Sequence, residues 1–174
     1  MDTLINRLFN ARLSMIARED VTLSIATEKD AETLSHIQHE AFDAESLMFH
    51  RTGPGGPAGY DTIEGQIDLM KRTDFLKIEH DGHIVGGLAV AVSPGRCRMV
   101  RIFIDPSYQG RGIGQKAVGL MFLRYPSEVV WELDTPSWSL RNHRFYEKMG
   151  FRKVGETDVG ERGFPLFLYE RRFI

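Results

Sequence analysis

The sequence predicts an α+β fold in which a mixed, mostly antiparallel sheet of about seven strands is flanked by about four helices. Short apolar segments recur along the chain and indicate the strands, and the first of them alternates with a period of two. The dipeptide Asp81-Gly82 between two of them is a strong hairpin signal. A strand, a helix and a strand follow one another over residues 99–133, an order that requires a parallel crossover. The predicted order of elements is β-α-α-β-β-β-α-β-α-β-β.

The first part of the chain predicts one strand and two helices. Val21 to Ala26 alternates as a strand does, and Asp30 caps a helix that runs to about Phe42. A second helix fits Thr62 to Arg72. Between the helices, the ten residues from His50 to Gly59 contain four glycines and two prolines, which exclude a regular element.

The rest of the chain predicts six strands and two further helices. The strands are Phe75–Glu79, Ile84–Val92, Met99–Ile104, Glu128–Leu133, Val154–Val159 and Phe164–Glu170. One helix spans Ile113 to Tyr125, because Pro126 stops it. The other spans Ser139 to Met149, and Gly150 stands where a left-handed C-cap is typical.

Composition is typical of a globular protein. Of the 174 residues, 42% are hydrophobic and 26% are charged, which argues against intrinsic disorder. We expect a single domain over residues 21–174, preceded by an N-terminal extension over residues 1–20 whose apolar spacing is compatible with a helix. Cys97 is the only cysteine, which excludes a disulfide framework and favours a cytoplasmic location. No apolar run approaches the ~20 residues of a membrane-spanning helix, so we expect no membrane association.

The distribution of charge indicates a small anionic ligand. The net charge is −2, so the chain lacks the basic excess of a general nucleic-acid binder, and we expect no nucleic-acid partner. Between Arg96 and Lys116, however, five basic residues accompany a single acid. This segment therefore carries +4 and the remainder −6. A basic segment around a cluster of glycines favours a small polyanion over a long polymer.

The run from Val100 to Gly114, VRIFIDPSYQGRGIG, carries the strongest chemical signal. An apolar strand ends at Asp105-Pro106, and a glycine-rich turn leads directly into a helix. Glycines let a ligand approach backbone amides, and the free N–H groups at a helix start bind anions, so a phosphate or pyrophosphate is the expected ligand. The run lacks the Gly-Lys-Ser/Thr of a Walker loop and the spacing of a dinucleotide fingerprint. A glycine turn that only lets the helix pack is the structural alternative.

A second informative segment runs from Trp138 to Phe151, WSLRNHRFYEKMGF. Tyr146 lies near the end of the predicted helix, just before Gly150 and the next strand. A phenol has a pKa near ~10, so it can donate a proton to a leaving group of similar basicity. A packing role in the core or at its rim is the alternative for a single tyrosine.

Together the two segments resemble the GNAT family of N-acetyltransferases. Gln109, Gly112 and Gly114 meet the signature Q/R-x-x-G-x-G/A after the strand end. Residues 145–151 meet the ending F-Y-E-K-x-G-F. The order of elements is similar to that of the family from Val21 to about Phe167.

The resemblance implies a GNAT-like fold and acetyl-CoA as cosubstrate. The pyrophosphate would sit on the amides of residues 110–115, and the pantetheine chain would run beside residues 102–104 like an added strand. A backbone N–H near Phe103 would polarise the thioester carbonyl, and Tyr146 would protonate the departing thiolate. The cofactor-binding residues that the resemblance implies are Ile102, Phe103, Ile104, Gln109, Gly110, Arg111, Gly112, Ile113, Gly114, Gln115, Ser139, Asn142 and Tyr146.

The base that accepts the proton of the amine is less well defined. Glu132 is our first candidate, since its strand should end next to the acyl group, and Asp134 shares its strand face. A solvated or ion-paired carboxylate is the alternative for each. The strand over residues 99–104 offers no glutamate, which some family members carry there. Ser139 stands where many members have an asparagine.

The acceptor side is predicted in the glycine-rich loop from Ala44 to Tyr60, where the family shapes its acceptor pocket. The polar candidates there are Glu45, His50, Arg51, Tyr60 and Asp61. An irregular connection without a ligand role is the alternative. His36 and His39 lack a further ligand at suitable spacing, so we expect no metal site.

The sequence therefore predicts an acetyl-CoA-dependent N-acetyltransferase. It moves an acetyl group to a primary amine of a small molecule or peptide by direct attack in a ternary complex. A non-catalytic acyl-CoA-binding sensor is the alternative, which Ser139 and the absent strand glutamate favour. A plain nucleotide-phosphate binder would instead prefer ATP or NAD. The N-terminal extension and the last strand are compatible with a homodimer.

Overall fold

The computed structural model describes residues 21–125 and 130–173. The expected N-terminal extension, 1–20, and the first residues of the strand predicted from Glu128 lie outside them. The strands are β1 (Val21–Ile25), β2 (Asp74–His80), β3 (His83–Ser93), β4 (Arg96–Ile104), β5 (Val130–Pro136), β6 (Arg152–Glu156) and β7 (Leu166–Arg171). The helices are α1 (Ala31–Met48), α2 (Ile63–Arg72), α3 (Ile113–Arg124) and α4 (Leu140–Lys148). None of these helices is long and apolar enough to cross a membrane.

The strands form one sheet in the order β1-β2-β3-β4-β5-β7-β6. Only β4 and β5 pair in parallel among the described strands, and the crossover between them contains α3. The other neighbours pair antiparallel. This confirms the predicted mixed, mostly antiparallel sheet with four flanking helices.

The Asp81-Gly82 turn joins β2 and β3 as the sequence predicts. Asp81 has φ +50° and Gly82 has φ +79°. Two consecutive positive φ angles are those of a type I′ turn, whose twist matches a two-stranded hairpin. The register of the hairpin is therefore set locally, with His80 opposite His83.

Each face of the sheet buries its own apolar cluster. Helices α3 and α4 cover the cluster around Trp131, Met121 and Phe151, each at most 2% exposed. Helices α1 and α2 cover the opposite cluster, around Leu34, Phe75 and Phe103. Each Å² of apolar surface that is buried on either face contributes ~25 cal/mol of stabilisation, and this burial holds the helices to the sheet.

Helix α1 is longer than the sequence pattern predicts. We expected it to end near Phe42, but it continues to Met48. The extra residues, DAESLM, are mostly good helix formers, and the first glycine after them is Gly53. The extension carries Glu45, expected in a loop, onto a helix.

Strands β4 and β5 separate after a short stretch of pairing. Their pairing covers Arg96 to Arg98, and β5 then continues only with β7 as far as Pro136. On its other side β4 bulges against β3: Val90 pairs with Met99 and Ala89 with Arg101, so Val100 has no partner. The second half of β4 therefore presents an unpaired backbone edge toward β5.

Candidate active site

A cavity of about 300 Å³ opens where β4 and β5 separate. It is bounded by the end of β4, the glycine-rich turn before α3, the C-terminal half of α1 and one face of α4. The lining residues are Ala41, Phe42, Glu45, Ile102, Phe103, Ile104, Tyr108, Gln109, Gly110, Gly112, Ile113, Gly114, Gln115, Arg141, Asn142, Phe145 and Tyr146. The fold thus brings the two informative segments of the sequence to one site.

Most of the predicted cofactor-binding residues line this cavity, and two do not. Arg111 lies outside the lining, with its guanidinium 5.2 Å from the centre of the Tyr108 ring. Ser139 is fully buried behind the lining, where its Oγ donates a hydrogen bond to Oε1 of Glu45 at 2.5 Å. No sequence pattern predicts this last contact, because the two residues are 94 positions apart.

The glycine turn leaves its amides open to a ligand. Gly110 and Gly112 have φ +76° and +79°, and a Cβ added at either meets no atom within 4 Å. Gly112 is the N-cap of α3, and its carbonyl accepts from the amide of Lys116 at 3.1 Å. The backbone amides between Gly112 and Lys116 have no acceptor within the helix, and the first turn carries no acidic side chain. The turn therefore has the geometry and the polarity of an anion site.

Gln109 holds the turn in place. Its Nε2 donates to the carbonyl of Ile104 at 2.7 Å, and its Oε1 accepts from Nη2 of Arg141 at 2.5 Å. The side chain thus connects the end of β4 to α4 across the mouth of the cavity. This role explains why a glutamine suits the first position of the signature.

The unpaired edge of β4 directs two amides toward β5. The amide of Asp105 donates to the carbonyl of Val85 at 2.8 Å. Facing residues of an antiparallel pair alternate between hydrogen-bonded and non-hydrogen-bonded positions, so the amide of Phe103 points to β3. The amides of Ile102 and Ile104 point the other way, into the gap. The N–H expected near Phe103 is therefore on one of its two neighbours.

Tyr146 lies at the inner end of the cavity. It is 8% exposed and packs against Phe151 and Tyr169, with ring centroids 6.1 and 6.2 Å away. Burial raises the pKa of Tyr146 above its ordinary value, and the negative charges of Asp134 and Glu45 raise it further. The phenol is therefore protonated at neutral pH and is able to donate.

Glu45 is the carboxylate that lines the cavity. Its side chain is 13% exposed, and besides Ser139 it faces Nη1 of Arg141 at 3.7 Å. The sequence grouped it with other polar residues of a loop. The signal for its position was the helix-forming character of residues 43–48. Because the helix continues through them, Glu45 lies about one turn beyond Phe42.

Glu132 and Asp134 do not line the cavity. Both lie on the sheet face opposite Trp131, and they form ion pairs with Arg96 and Arg98, respectively. Asp134 is the nearer to the site, since its charge acts on Tyr146. The base role predicted for Glu132 stays a prediction, with an ion-paired alternative visible in the structure.

Two of the other acceptor-side candidates, Tyr60 and Arg51, join the loop to neighbouring parts of the fold. The Tyr60 hydroxyl donates to Oδ1 of Asp43 at 2.5 Å, and burial together with this hydrogen bond raises the pKa of Tyr60 to about 12. The guanidinium of Arg51 lies over the rings of Trp138 and Phe164. His50 and Asp61 are exposed and outside the lining. These contacts fix the loop beside the cavity.

Comparison with known proteins connects this geometry to a family. Residues 71–153 match a family model described as "Acetyltransferase (GNAT) domain". The chain is 28% identical over 137 residues to the uncharacterized protein YrkN of Bacillus subtilis, a match that covers 77% of this chain and 74% of that protein. It is 31% identical over 100 residues to N-acetylaspartate synthetase of Rattus norvegicus, covering 53% of this chain but only 33% of the rat protein.

The fold is also similar to solved structures. The PaiA N-acetyltransferase of Thermoplasma acidophilum, in complex with coenzyme A, superposes with a TM-score of 0.67 at 18% identity. The superposition covers 88% of this chain and 99% of that protein. At 18% sequence identity, the similarity of the two structures supports a common fold.

Proposed function

We propose that this chain, whose residues 71–153 match the family model of the GNAT acetyltransferase domain, transfers the acetyl group of acetyl-CoA to a primary amine of a small molecule or peptide. The amine attacks directly in a ternary complex. The N–C bond forms as the C–S bond breaks, the amine proton passes to a base, and coenzyme A leaves as its thiol. Residues 21–174 act as one domain in this proposal.

One observation carries the proposal. The cavity at the end of β4 is lined at once by an unpaired strand edge, a glycine turn at a helix N-terminus and a buried tyrosine. An extended chain that ends in a pyrophosphate matches the first two, because the edge offers backbone hydrogen bonds and the turn offers amides for the anion. Acetyl-CoA has this shape and supplies the activated acetyl group.

The residues of the cavity divide the work of the reaction. An amide of Ile102 or Ile104 donates a hydrogen bond to the carbonyl oxygen that gains charge during attack. The Tyr146 hydroxyl donates its proton to the departing sulfur. Glu45 is our proposal for the base, since it lines the cavity while Glu132 and Asp134 form ion pairs outside it.

Glu45→Gln tests this base. Glutamine keeps an oxygen that accepts from Ser139 but cannot take a proton, so we expect kcat/KM for the amine to fall about 100-fold at pH 7. The deficit narrows as the pH rises toward ~10, where a lysine-like amine loses its proton to water. Initial rates of thiol release between pH 6 and 10 measure both effects.

The same replacement at Glu132 compares the two candidates. A larger loss of kcat/KM in Glu132→Gln than in Glu45→Gln would return the base role to Glu132. Binding of coenzyme A by calorimetry shows whether either variant has lost its folded site rather than its chemistry.

Calorimetric titration with acetyl-CoA tests the proposed function itself, with CoA, ATP and NAD as comparators. We expect acetyl-CoA and CoA to bind selectively, and thiol release to follow when an amine panel is added. Preference for ATP or NAD contradicts the proposal. Tight binding of acetyl-CoA without thiol release in the presence of any amine supports instead the hypothesis of a non-catalytic sensor.

The panel should include amino acids as well as amines and peptides. The name of the rat relative, N-acetylaspartate synthetase, indicates an amino-acid acceptor for that protein. The match covers a third of that relative, so the acceptor of this chain is tested rather than transferred.

A further inference from the structure

We propose that Arg101 binds a carboxylate of the acceptor, which makes the acceptor a free amino acid with a short separation between its amine and its carboxylate. The inference rests on the proposed acetyl transfer and names its acceptor class. It is carried by a second cavity, of about 280 Å³, that lies between α1, α2 and β4 beside the first. Arg101, Gln38 and Gln66 form its inner wall.

Three polar groups on this wall have no hydrogen-bond partner within residues 21–125 and 130–173. They are Nε of Arg101, Nε2 of Gln38 and Oε1 of Gln66, all of them buried. Gln38 and Gln66 are 0% and 1% exposed, and they use their other amide atoms on each other at 2.9 Å. Buried polar groups without a partner are uncommon and costly, and an acceptor oxygen from a ligand in this cavity would satisfy the two unpartnered donors, on Arg101 and Gln38.

Arg101 is poorly paired by the part of the chain that the structure describes. There its Nη1 donates to the carbonyl of Val100 at 3.5 Å, close to the limit for a hydrogen bond. The nearest carboxylate in electrostatic terms, Asp134, forms an ion pair with Arg98. A guanidinium with free donors matches a carboxylate through two parallel hydrogen bonds. Burial lowers the pKa of Arg101, but an arginine stays charged at neutral pH.

The other charges around the cavity leave this role to Arg101. Arg72, Glu64 and Asp68 also line it, but all three are exposed. Arg72 donates from Nε to the carbonyl of Asp68 at 3.1 Å. These exposed groups, one positive and two negative, are screened by solvent, whereas Arg101 is the charged residue of the lining that is not exposed.

The two cavities share α1 and β4 as parts of their walls. Gln38 of the second cavity and Phe42 of the first are four residues apart on α1, or ~6 Å along the axis. Arg101 and Phe103 are two residues apart on β4, ~6.6 Å. An acceptor held at Arg101 by its carboxylate therefore directs an amine a few bonds away into the first cavity. A peptide N-terminus lacks the free α-carboxylate, and only a peptide that begins with Asp or Glu offers a carboxylate at that distance.

The experiment compares amino acids with the same amines lacking the carboxylate. Glycine is paired with methylamine, β-alanine with ethylamine, and phenylalanine with phenethylamine, using wild type, Arg101→Met and Arg101→Lys. We expect wild type to favour the amino acid of at least one pair by about 10- to 100-fold in kcat/KM. In Arg101→Met this ratio falls to near 1, and Arg101→Lys lies between, because lysine keeps the charge but not the paired donors.

Arg152→Met, on the exposed strand β6, is the matched control for loss of one positive charge. It should keep the wild-type ratio. The inference is overturned if wild type favours the amines without a carboxylate, or if Arg101→Met keeps its preference while still binding coenzyme A.

Calorimetric titration of the same amino acids into CoA-saturated protein separates this inference from the proposed function. If the amino acids bind, if Arg101→Met abolishes this binding, and if no thiol is released from acetyl-CoA, the carboxylate site is supported and acetyl transfer is overturned. If amines cause thiol release from acetyl-CoA at a rate that Arg101→Met does not change, acetyl transfer is supported and the carboxylate site is overturned.

Discussion

Replacing Gly112 by aspartate should weaken acetyl-CoA binding by at least about 100-fold and abolish turnover at ordinary concentrations. The residue caps α3 at the proposed pyrophosphate site, where a Cβ would project into open space. A carboxylate there repels a phosphate ~4 Å away by about 4 kcal/mol at an effective dielectric constant of 20, and it neutralises the positive end of the helix dipole that would otherwise attract the anion. Calorimetry with acetyl-CoA measures the loss.

Two variants separate charge from backbone strain. Gly112→Asn has almost the same shape as the aspartate, and asparagine tolerates a φ of +79° better than most residues. We expect it to lose much less affinity. Gly119→Asp puts the same charge on α3 outside the cavity lining. Equal losses in all three variants would mean that the aspartate acts through stability, and retained binding in Gly112→Asp would remove the phosphate from this turn.

Tyr146→Phe should lower kcat about 100-fold while the Kd for coenzyme A changes little. The change removes only the hydroxyl that we assign to protonating the departing sulfur, and general acids typically contribute 10²–10⁴-fold. The ring, which packs against Phe151 and Tyr169, is kept. Single-turnover rates of thiol release, together with calorimetry for coenzyme A, separate chemistry from binding.

The pH profile of the wild type adds an independent check on Tyr146. Because its pKa is raised above the ordinary value of ~10, the donating form is fully present at neutral pH. The rate that depends on it should fall only in strongly alkaline solution, and Tyr146→Phe should lack that alkaline fall.

Tyr169→Phe is the matched control for a buried phenol in the same cluster. Its hydroxyl reaches Glu147 at 3.4 Å and lies outside the cavity lining. We expect kcat close to that of wild type. An undiminished kcat in Tyr146→Phe, or an equal loss in both variants, would remove Tyr146 from the acid role.

Some features of this protein follow from sequence patterns of local origin. The period of two in β1, the type I′ turn at Asp81-Gly82 and the glycines before α3 depend on neighbours within a few residues. The predicted sheet and four helices are confirmed for that reason. The family signature around Gln109 is also local, since a strand end, a turn and a helix start follow directly along the chain.

Contacts between distant parts of the chain are what the tertiary structure alone decided. The separation of β4 from β5 after Arg98 depends on how two strands joined by α3 diverge, and no residue of either strand encodes it locally. The pairing of Glu45 with Ser139 and the exclusion of Glu132 from the cavity arise in the same way, as does the Nε of Arg101 that finds no partner among the described residues. Side-chain period tells which face a residue takes, but only packing tells which groups it meets there. The sequence thus determined the fold and the family resemblance, whereas the candidate base and acceptor site became visible only when distant elements packed together.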